Sequence, residues 1–473
     1  MGIHASQGFD GIEELRRRFA AQGQAHVFRF WDRLSGAQRQ ALVSEAEALE
    51  LEALLGELAA AVRAAPRGDG IRPAAAERLP ERGGHADRWT EATRRGEALL
   101  RSGCVAALVV AGGQATRLGF PGPKGAFPLG PISDRSLFAI QGQKLVRARR
   151  RSGQPIPWYV MTSPATDAAT REFFAEHGCF GVPPEDVFFF EQGMVPSFDF
   201  DDRLILAEPG RLARNPDGHG GCLTALLRSG ALDDMERRGI TTLFYYQVDN
   251  PLVRMTDAAF LGFHADAGAE VSCKVVRKDD PMEKVGIVAR IGDGLGVVEY
   301  SELDDELRHQ RDETGELVYW AGNVAIHVFE TAFVRRVASE AVRWLPFHAA
   351  DKKIPCIDAA GEPFQPERPN GRKLERFVFD ALPAAKQVCV VEAERSAEFS
   401  PVKNAAGPNS PESARRDLAR GYRAWLESAG IEIPPGALLE IDHSHIDGPE
   451  DALGLGSLAD ASDMIRIQSG AKA

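Results

Sequence analysis

Apolar side chains recur at helical spacing through residues 10–65: Ile12, Leu15 and Phe19, then Val27, Phe28, Phe30, Trp31 and Leu34, then Leu42, Leu49, Leu51, Leu54, Leu55 and Leu58. One apolar face with a period near 3.6 predicts three or four short helices. Ser35 with Gln38, ahead of Ala41 and Leu42, predicts a capping box at the start of one of them. No chemical motif falls in this stretch, so it reads as a packing unit. Residues 65–98 are punctuated by Pro66, Gly68, Gly70, Pro73, Pro80, Gly83 and Gly84, and read as loop and short helix leading to the core.

From residue 104 the pattern changes to short continuous apolar runs separated by helical stretches. Residues 104–111, 158–162, 187–191, 241–249 and 270–276 read as strands, the first buried on both faces. Between them, residues 136–150, 166–178, 222–232 and 255–268 read as helices, with Ser136 an N-cap. Such alternation predicts an α/β fold with a doubly wound, mostly parallel sheet. Ligands of such sheets lie outside the carboxyl ends of the strands, and Gly112 and Asp249 both stand where a strand stops. Residues 285–330 carry alternating runs around Gly-rich turns, which predicts an antiparallel insertion. The expected domains are a helical unit with linker (1–98), a core with that insertion (99–385) and a small C-terminal domain (386–473) containing a helix near 413–429 and an apolar stretch at 431–441.

At 473 residues, two or three domains are expected. The formal net charge of −12 argues against a nucleic-acid or membrane-surface binder, which would need a basic face. No run approaches the ~20 apolar residues needed to span a bilayer. The first six residues show no signal-peptide pattern, and the fit of Gly2 and Ser6 to a myristoylation pattern is short enough to be chance. Six scattered cysteines without a C-x-x-C pair fit reduced thiols in the cytoplasm and offer no zinc site.

The candidate chemistry starts at Gly112-Gly113. There the first strand breaks into a loop, 112–125, with three further glycines (119, 122, 125) and Arg117 and Lys124 as its only charges; the helix at Ser136 follows. Backbone N–H groups and two cations in a strand–loop–helix setting suit phosphate. A second Gly-rich loop, Asn215-Pro-Asp-Gly-His-Gly-Gly221, leads into the next helix. Asp249, an acid at a strand end, suits a Mg²⁺ held against phosphate oxygens. Two other groups read as surface. Asp442-His-Ser-His-Ile-Asp447 has metal-ligand residue types but reads as solvated loop, and Arg147–Arg151 as a solvated basic helix end. Gly292-Asp-Gly294 reads as a turn.

These segments together resemble the eukaryotic-type UDP-sugar pyrophosphorylase family, most of all its UDP-N-acetylhexosamine branch. The resemblance rests on 111–125, Phe190-Glu-Gln-Gly-Met-Val-Pro196, 215–221, Gln247-Val-Asp-Asn-Pro251, Val298-Glu-Tyr-Ser-Glu302, Gly322-Asn-Val-Ala-Ile-His-Val-Phe329, Phe377-Val-Phe-Asp380 and Glu398-Phe-Ser-Pro-Val-Lys-Asn404, in that order. It implies a Rossmann-like nucleotidyltransferase that condenses UTP with a sugar-1-phosphate, N-acetylglucosamine-1-phosphate first, releasing pyrophosphate. The alternatives are a UDP-glucose or broad UDP-sugar enzyme, and a catalytically silent nucleotide-sugar binder. By the resemblance, Gly112 and Gly113 lie on the nucleotide and Arg117, Lys124 and Lys403 on the phosphates. Gln192 and Gly218, with His219, contact the base; Asp249 holds Mg²⁺; Gly286, Glu299 and Asn323 line the sugar pocket. From the charge balance no nucleic acid or membrane partner is expected, and oligomeric state is left open. Two positions depart from the pattern. His219 stands where the acetylhexosamine branch commonly has Asn. Ala115 replaces a loop glycine, and would cost about 1 kcal/mol if that position needs positive φ; its N–H is kept, so weakened or unchanged nucleotide binding is expected.

Overall fold

The computed structural model describes residues 11–64, 70–300, 302–453, 455 and 464–468. The N-terminal hexapeptide, and Ser301 within the Val298–Glu302 motif, lie outside them. The chain divides into two compact units, 1–65 with 193–221 and 341–378, and 66–192 with 222–340 and 379–473.

In the first unit the helical spacing becomes α1 (Ile12–Ala21), α2 (Gly36–Glu47) and α3 (Leu51–Arg63), with two 3-10 turns between α1 and α2. The Ser35–Gln38 capping box is formed in both directions. Leu15, Phe19, Trp31, Leu42, Leu54 and Leu58 pack with Phe198, Leu206, Phe347 and Leu374. The helices therefore share their core with two later stretches of chain, and do not form the separate 1–98 unit that the sequence suggested. Strands Phe347–Lys352 and Gly371–Arg376 pair antiparallel, and Phe198–Asp199 extends that sheet.

The second unit is built on a ten-stranded sheet. Its strands are β1 (Ile71–Pro73), β2 (Val105–Val110), β3 (Trp158–Thr162), β4 (Val187–Glu191), β5 (Thr242–Gln247), β6 (Val271–Arg277), β7 (Ile287–Ile291), β8 (Gly294–Val298), β9 (Ala321–Glu330) and β10 (Val388–Ala393). The spatial order is β4-β3-β2-β5-β9-β6-β10. β4, β3, β2 and β5 run parallel, β9 runs antiparallel to β5 and β6, and β6 and β10 are parallel. Val105 to Val109 and all of β3 are buried, as unbroken apolar runs require. The hairpin β7–β8 and strand β1 attach where β9 begins, at the Ile287–Gly322 pair. Helices α4 (Ala86–Arg101), α5 (Leu137–Ser152), α6 (Asp167–Glu176), α7 (Ala258–Asp266) and α8 (Pro411–Ser428) belong to this unit, and Ser136 caps α5 through its hydroxyl to Ala139 N–H.

Several expectations shift. The segment 65–98 holds most of a sixteen-residue helix and a sheet strand. Residues 222–232 break into Gly221–Arg228 and Ala231–Arg237, because Gly230 between them is left-handed, with φ 76°. Residues 321–330 belong to the main sheet, and only the β7–β8 hairpin is an antiparallel addition. Residues 386–473 are not a separate domain: β10 is a sheet strand and α8 packs within the same unit. Of 431–441, only Leu438–Ile441 is strand. Among the described residues no helix is long and apolar enough to cross a membrane, and all six cysteines are free thiols.

Candidate functional site

Strand directions decide where the site lies. β2, β3, β4 and β5 end at one edge of the sheet, and β6 and β10 end there too. β9, running the other way, begins there. This edge gathers the loops after residues 110, 162, 191, 247, 277 and 393, together with residues 321–323.

The glycine-rich loop is a small hairpin. Lys124 N–H donates to Gly113 O (2.9 Å) and Ala115 N–H to Gly122 O (3.0 Å). Thr116–Leu118 forms a 3-10 turn closed by left-handed Gly119. Gly112 needs to be glycine for space: a Cβ there would stand 2.9 Å from Gln192 Nε2 and 3.1 Å from Thr162 O. Its carbonyl accepts from Ser163 Oγ at 2.8 Å, and Gln192 N–H donates to Thr162 O at 3.0 Å. The ends of β2, β3 and β4 are thereby laced together, with Gln192 buried beside the loop. Gly113 faces open space.

Ala115 does not carry the strain that a replaced glycine implied. Its φ is −94°, and its methyl is fully buried in an apolar cluster with Phe127, Leu129, Leu137, Val402 and Leu418. Its N–H is committed to Gly122 and is not a donor kept for nucleotide.

Lys124 and Asp249 come together. Lys124 Nζ lies 3.7 Å from Asp249 Oδ2, with side chains 20% and 12% exposed. The backbone around Asp249 is held closely. Val402 N–H donates to Asp249 O (2.8 Å), Gln141 Nε2 to Val248 O (2.9 Å), and Asn250 Nδ2 to Glu398 O (2.7 Å). Behind it, buried Lys274 donates to Asp257 and Glu398, each at 2.6 Å. Burial alone would raise the Asp257 carboxyl, but Lys274 and Arg254 outweigh it and bring it down to about 2. At Glu398 burial wins and the carboxyl is raised. Lys403 follows Val402 and is anchored through its N–H to Asn409 O (2.7 Å). Arg117 and Lys403 are both exposed, and neither pairs with a carboxylate among the described residues.

The sugar-side candidates are joined by the hairpin. Asn323 N–H donates to Gly286 O (2.8 Å), and a Cβ on Gly286 would stand 3.2 Å from Glu299 Oε1. Opposite Lys274 and Val275, β9 bulges and puts Ala325 at φ 55°. Asn323 Oδ1 accepts the Ala325 N–H (3.1 Å), so its amide NH₂ is the part of the side chain that can still donate.

Gly218 and His219 belong to the first unit. Gly218 is left-handed at φ 85°, and a Cβ would meet Arg376 O at 2.4 Å. His219 Nδ1 accepts Val378 N–H (3.2 Å) and its ring stacks on Phe377.

No group of three or more His, Cys, Asp or Glu side chains that could hold a metal is present among the described residues. Within Asp442–Asp447, His445 is exposed as expected of a solvated loop, but His443 and Asp447 are buried. His443 is 1% exposed and sits between Tyr422 Oη and Asp447 Oδ1, each at 2.8 Å. Arg147 at the basic helix end is bonded to Asp451 at 2.5 Å and is not free surface. Sequence reasoning overlooked Gln141 and Lys144: polar residues on an apolar helix face were their only signal.

A family profile described as UTP–glucose-1-phosphate uridylyltransferase matches residues 71–409. A Xenopus tropicalis protein named UDP-N-acetylhexosamine pyrophosphorylase-like protein 1 is 40% identical over 448 residues, covering 90% of this chain and 87% of its own. The Saccharomyces cerevisiae UDP-N-acetylglucosamine pyrophosphorylase is 36% identical over 450 residues, covering 91% and 94%. The crystal structure of the Trypanosoma brucei uridine diphosphate N-acetylglucosamine pyrophosphorylase in complex with an inhibitor superposes with TM-score 0.76 at 28% identity, covering 89% and 87%.

Proposed function

Because the chain belongs to the UTP–glucose-1-phosphate uridylyltransferase family, we propose that it condenses UTP with N-acetylglucosamine-1-phosphate to give UDP-N-acetylglucosamine and pyrophosphate. Relatives named as UDP-N-acetylglucosamine or UDP-N-acetylhexosamine pyrophosphorylases align over nearly its whole length. The observation that carries the reading is the approach of Lys124 to Asp249 at the carboxyl edge, 3.7 Å apart. A cation beside an acid there suits a triphosphate.

In this reading a phosphate oxygen of the sugar-1-phosphate attacks the α-phosphorus of UTP in line. The bond from that phosphorus to the β-phosphate oxygen breaks, and pyrophosphate leaves. Catalysis is positioning and charge neutralisation, with no protein nucleophile. The hairpin loop from Gly112 offers backbone around the nucleotide, and Gln192 reads the base beside it. Lys124, Arg117 and Lys403 neutralise the phosphates. Asp249 fits Mg²⁺, which binds through one or two carboxylates plus substrate phosphates instead of an all-protein cage. Bound there, the ion would offset charge on the triphosphate oxygens. Glu299 accepts from sugar hydroxyls, and the Asn323 amide donates to the acetamido carbonyl. The absence of an intramolecular disulfide among the six thiols fits a cytoplasmic enzyme.

A UDP-glucose or broad UDP-sugar enzyme is the second reading, favoured by His219. The test is pyrophosphate release from UTP with N-acetylglucosamine-, N-acetylgalactosamine- and glucose-1-phosphate. The expected order places N-acetylglucosamine-1-phosphate first. Preference for glucose-1-phosphate establishes the second reading, and no release with any sugar makes the chain a silent binder.

A further inference from the structure

A metal site with one protein carboxylate has no second protein ligand to fix its aim, so the direction of Asp249 depends on its backbone. That backbone is held from helix α5. Gln141 donates to Val248 O at 2.9 Å. One turn on, Lys144 Nζ donates to Pro251 O (2.9 Å) and Val253 O (2.8 Å). Carbonyls on both sides of Asp249 are thus clamped by two buried side chains of one helix. Lys144 has three donors, and its third neighbour is Asp447 Oδ1 at 3.5 Å.

Asp447 is itself placed by the C-terminal segment. An ionised Asp447 can only accept, so His443 Nδ1 donates to it, at 2.8 Å. The other ring nitrogen of a neutral His443 then accepts from Tyr422 Oη on α8, also at 2.8 Å. Each of these side chains is buried: Tyr422 and His443 at 1%, Lys144 at 3% and Asp447 at 6% exposure. Around them lies an apolar cluster that includes Leu418, Leu426 and Ile446. Apolar residues there would pack as stably, since a buried ion pair seldom repays its desolvation. What a hydrophobic substitute could not supply is direction: a fixed hydrogen-bonded row in which Asp447 accepts from His443 and faces the Lys144 ammonium, whose other donors end on the carbonyls that flank Asp249.

We propose that His443 and Asp447, acting through Lys144, are positioning residues for Asp249, so that the C-terminal segment sets the aim of the metal-binding carboxylate. This rests on the reading that Asp249 holds the metal. It gives the Asp442–Asp447 motif a role without making it a metal site.

The test measures Mn²⁺ affinity in the enzyme–UTP complex by water-proton relaxation enhancement over Mn²⁺–UTP alone. Thermal unfolding and steady-state rates are followed beside it. His443→Phe keeps the ring and removes both hydrogen bonds. Mn²⁺ binding is expected to weaken about 10-fold, as for loss of an outer partner of a metal ligand. The half-saturating Mg²⁺ concentration should rise alike, with KM for the sugar phosphate unchanged. His443→Asn keeps a donor for Asp447 and should restore affinity to within about twofold. Gln141→Met removes the other clamp and should weaken Mn²⁺ in the same direction; Asp447→Asn, which keeps the shape of Asp447 and removes its charge toward Lys144, should weaken it likewise and takes the place of His443→Phe if that variant does not fold. Unchanged Mn²⁺ affinity in a folded His443→Phe overturns the proposal, whatever Gln141→Met does. So does an Asn variant as impaired as the Phe variant, which would mean that packing alone matters. Asp249→Asn separates the two failures: if it leaves Mn²⁺ affinity intact, the metal assignment itself falls.

Discussion

Replacing Ala115 with glycine would restore the glycine common in the loops of related proteins, and intuition says that the loop should improve. The structure argues the reverse. Ala115 has φ −94°, so glycine relieves no strain and only enlarges the unfolded ensemble, at about 0.4–1 kcal/mol. The alanine methyl is 0% exposed within an apolar cluster, and losing a buried group of that size costs about 0.8 kcal/mol. Ala115→Gly should therefore destabilise the protein by about 1.5 kcal/mol, read as a lower urea midpoint at unchanged slope. Nucleotide binding should not tighten, because the Ala115 N–H already serves Gly122 O at 3.0 Å; KM for UTP should stay within about twofold. A variant as stable as the parent would refute the burial argument, and one binding UTP severalfold more tightly would show that the loop turns left-handed at this position when nucleotide is bound.

Two further outcomes follow from charges. Lys124→Ala should lower kcat by roughly 100-fold or more with the circular dichroism spectrum unchanged, because a preorganised cation at developing phosphate charge is worth several kcal/mol; near-normal turnover would remove Lys124 from the mechanism. Burial lowers the imidazole of His443 and, within the other unit, that of His26 below the ordinary 6.5, their hydrogen-bond partners Asp447 and the Leu204 carbonyl only partly opposing it. The unfolded chain then binds protons that the folded one resists. This part of the stability is present above pH 6.5 and declines as pH falls below it. The urea midpoint should drop between pH 7 and pH 5.5, and His443→Asn should flatten the drop; a midpoint that rises on acidification contradicts the assignment.

Legibility followed the range of the forces involved. Ser35 with Gln38, Ser136 ahead of its helix, and the run from Val105 into Gly112 were readable because cap, strand and turn are decided within a few residues. Residues 321–330 were misplaced because alternation shows that a strand exists and not what it pairs with; β9 finds β5 on one side and β6 on the other, and its antiparallel direction brings Asn323 to the edge where β5 delivers Asp249. The same limit hid the domain boundaries, since the N-terminal helices share their core with strands more than a hundred residues away. It also hid the burial of His443 and Asp447. Residue types name donors and acceptors, but their burial is conferred by α8 and α5, which approach only in the folded chain. Ala115 shows the converse: its identity was readable while its cost stayed conditional, because the cost depends on φ, and the φ of −94° is set in a loop held by the Gly113–Lys124 and Ala115–Gly122 hydrogen bonds. A departure from a family pattern is thus a question about backbone, and here the backbone accommodates the methyl, which fastens the glycine-rich loop to the C-terminal apolar cluster.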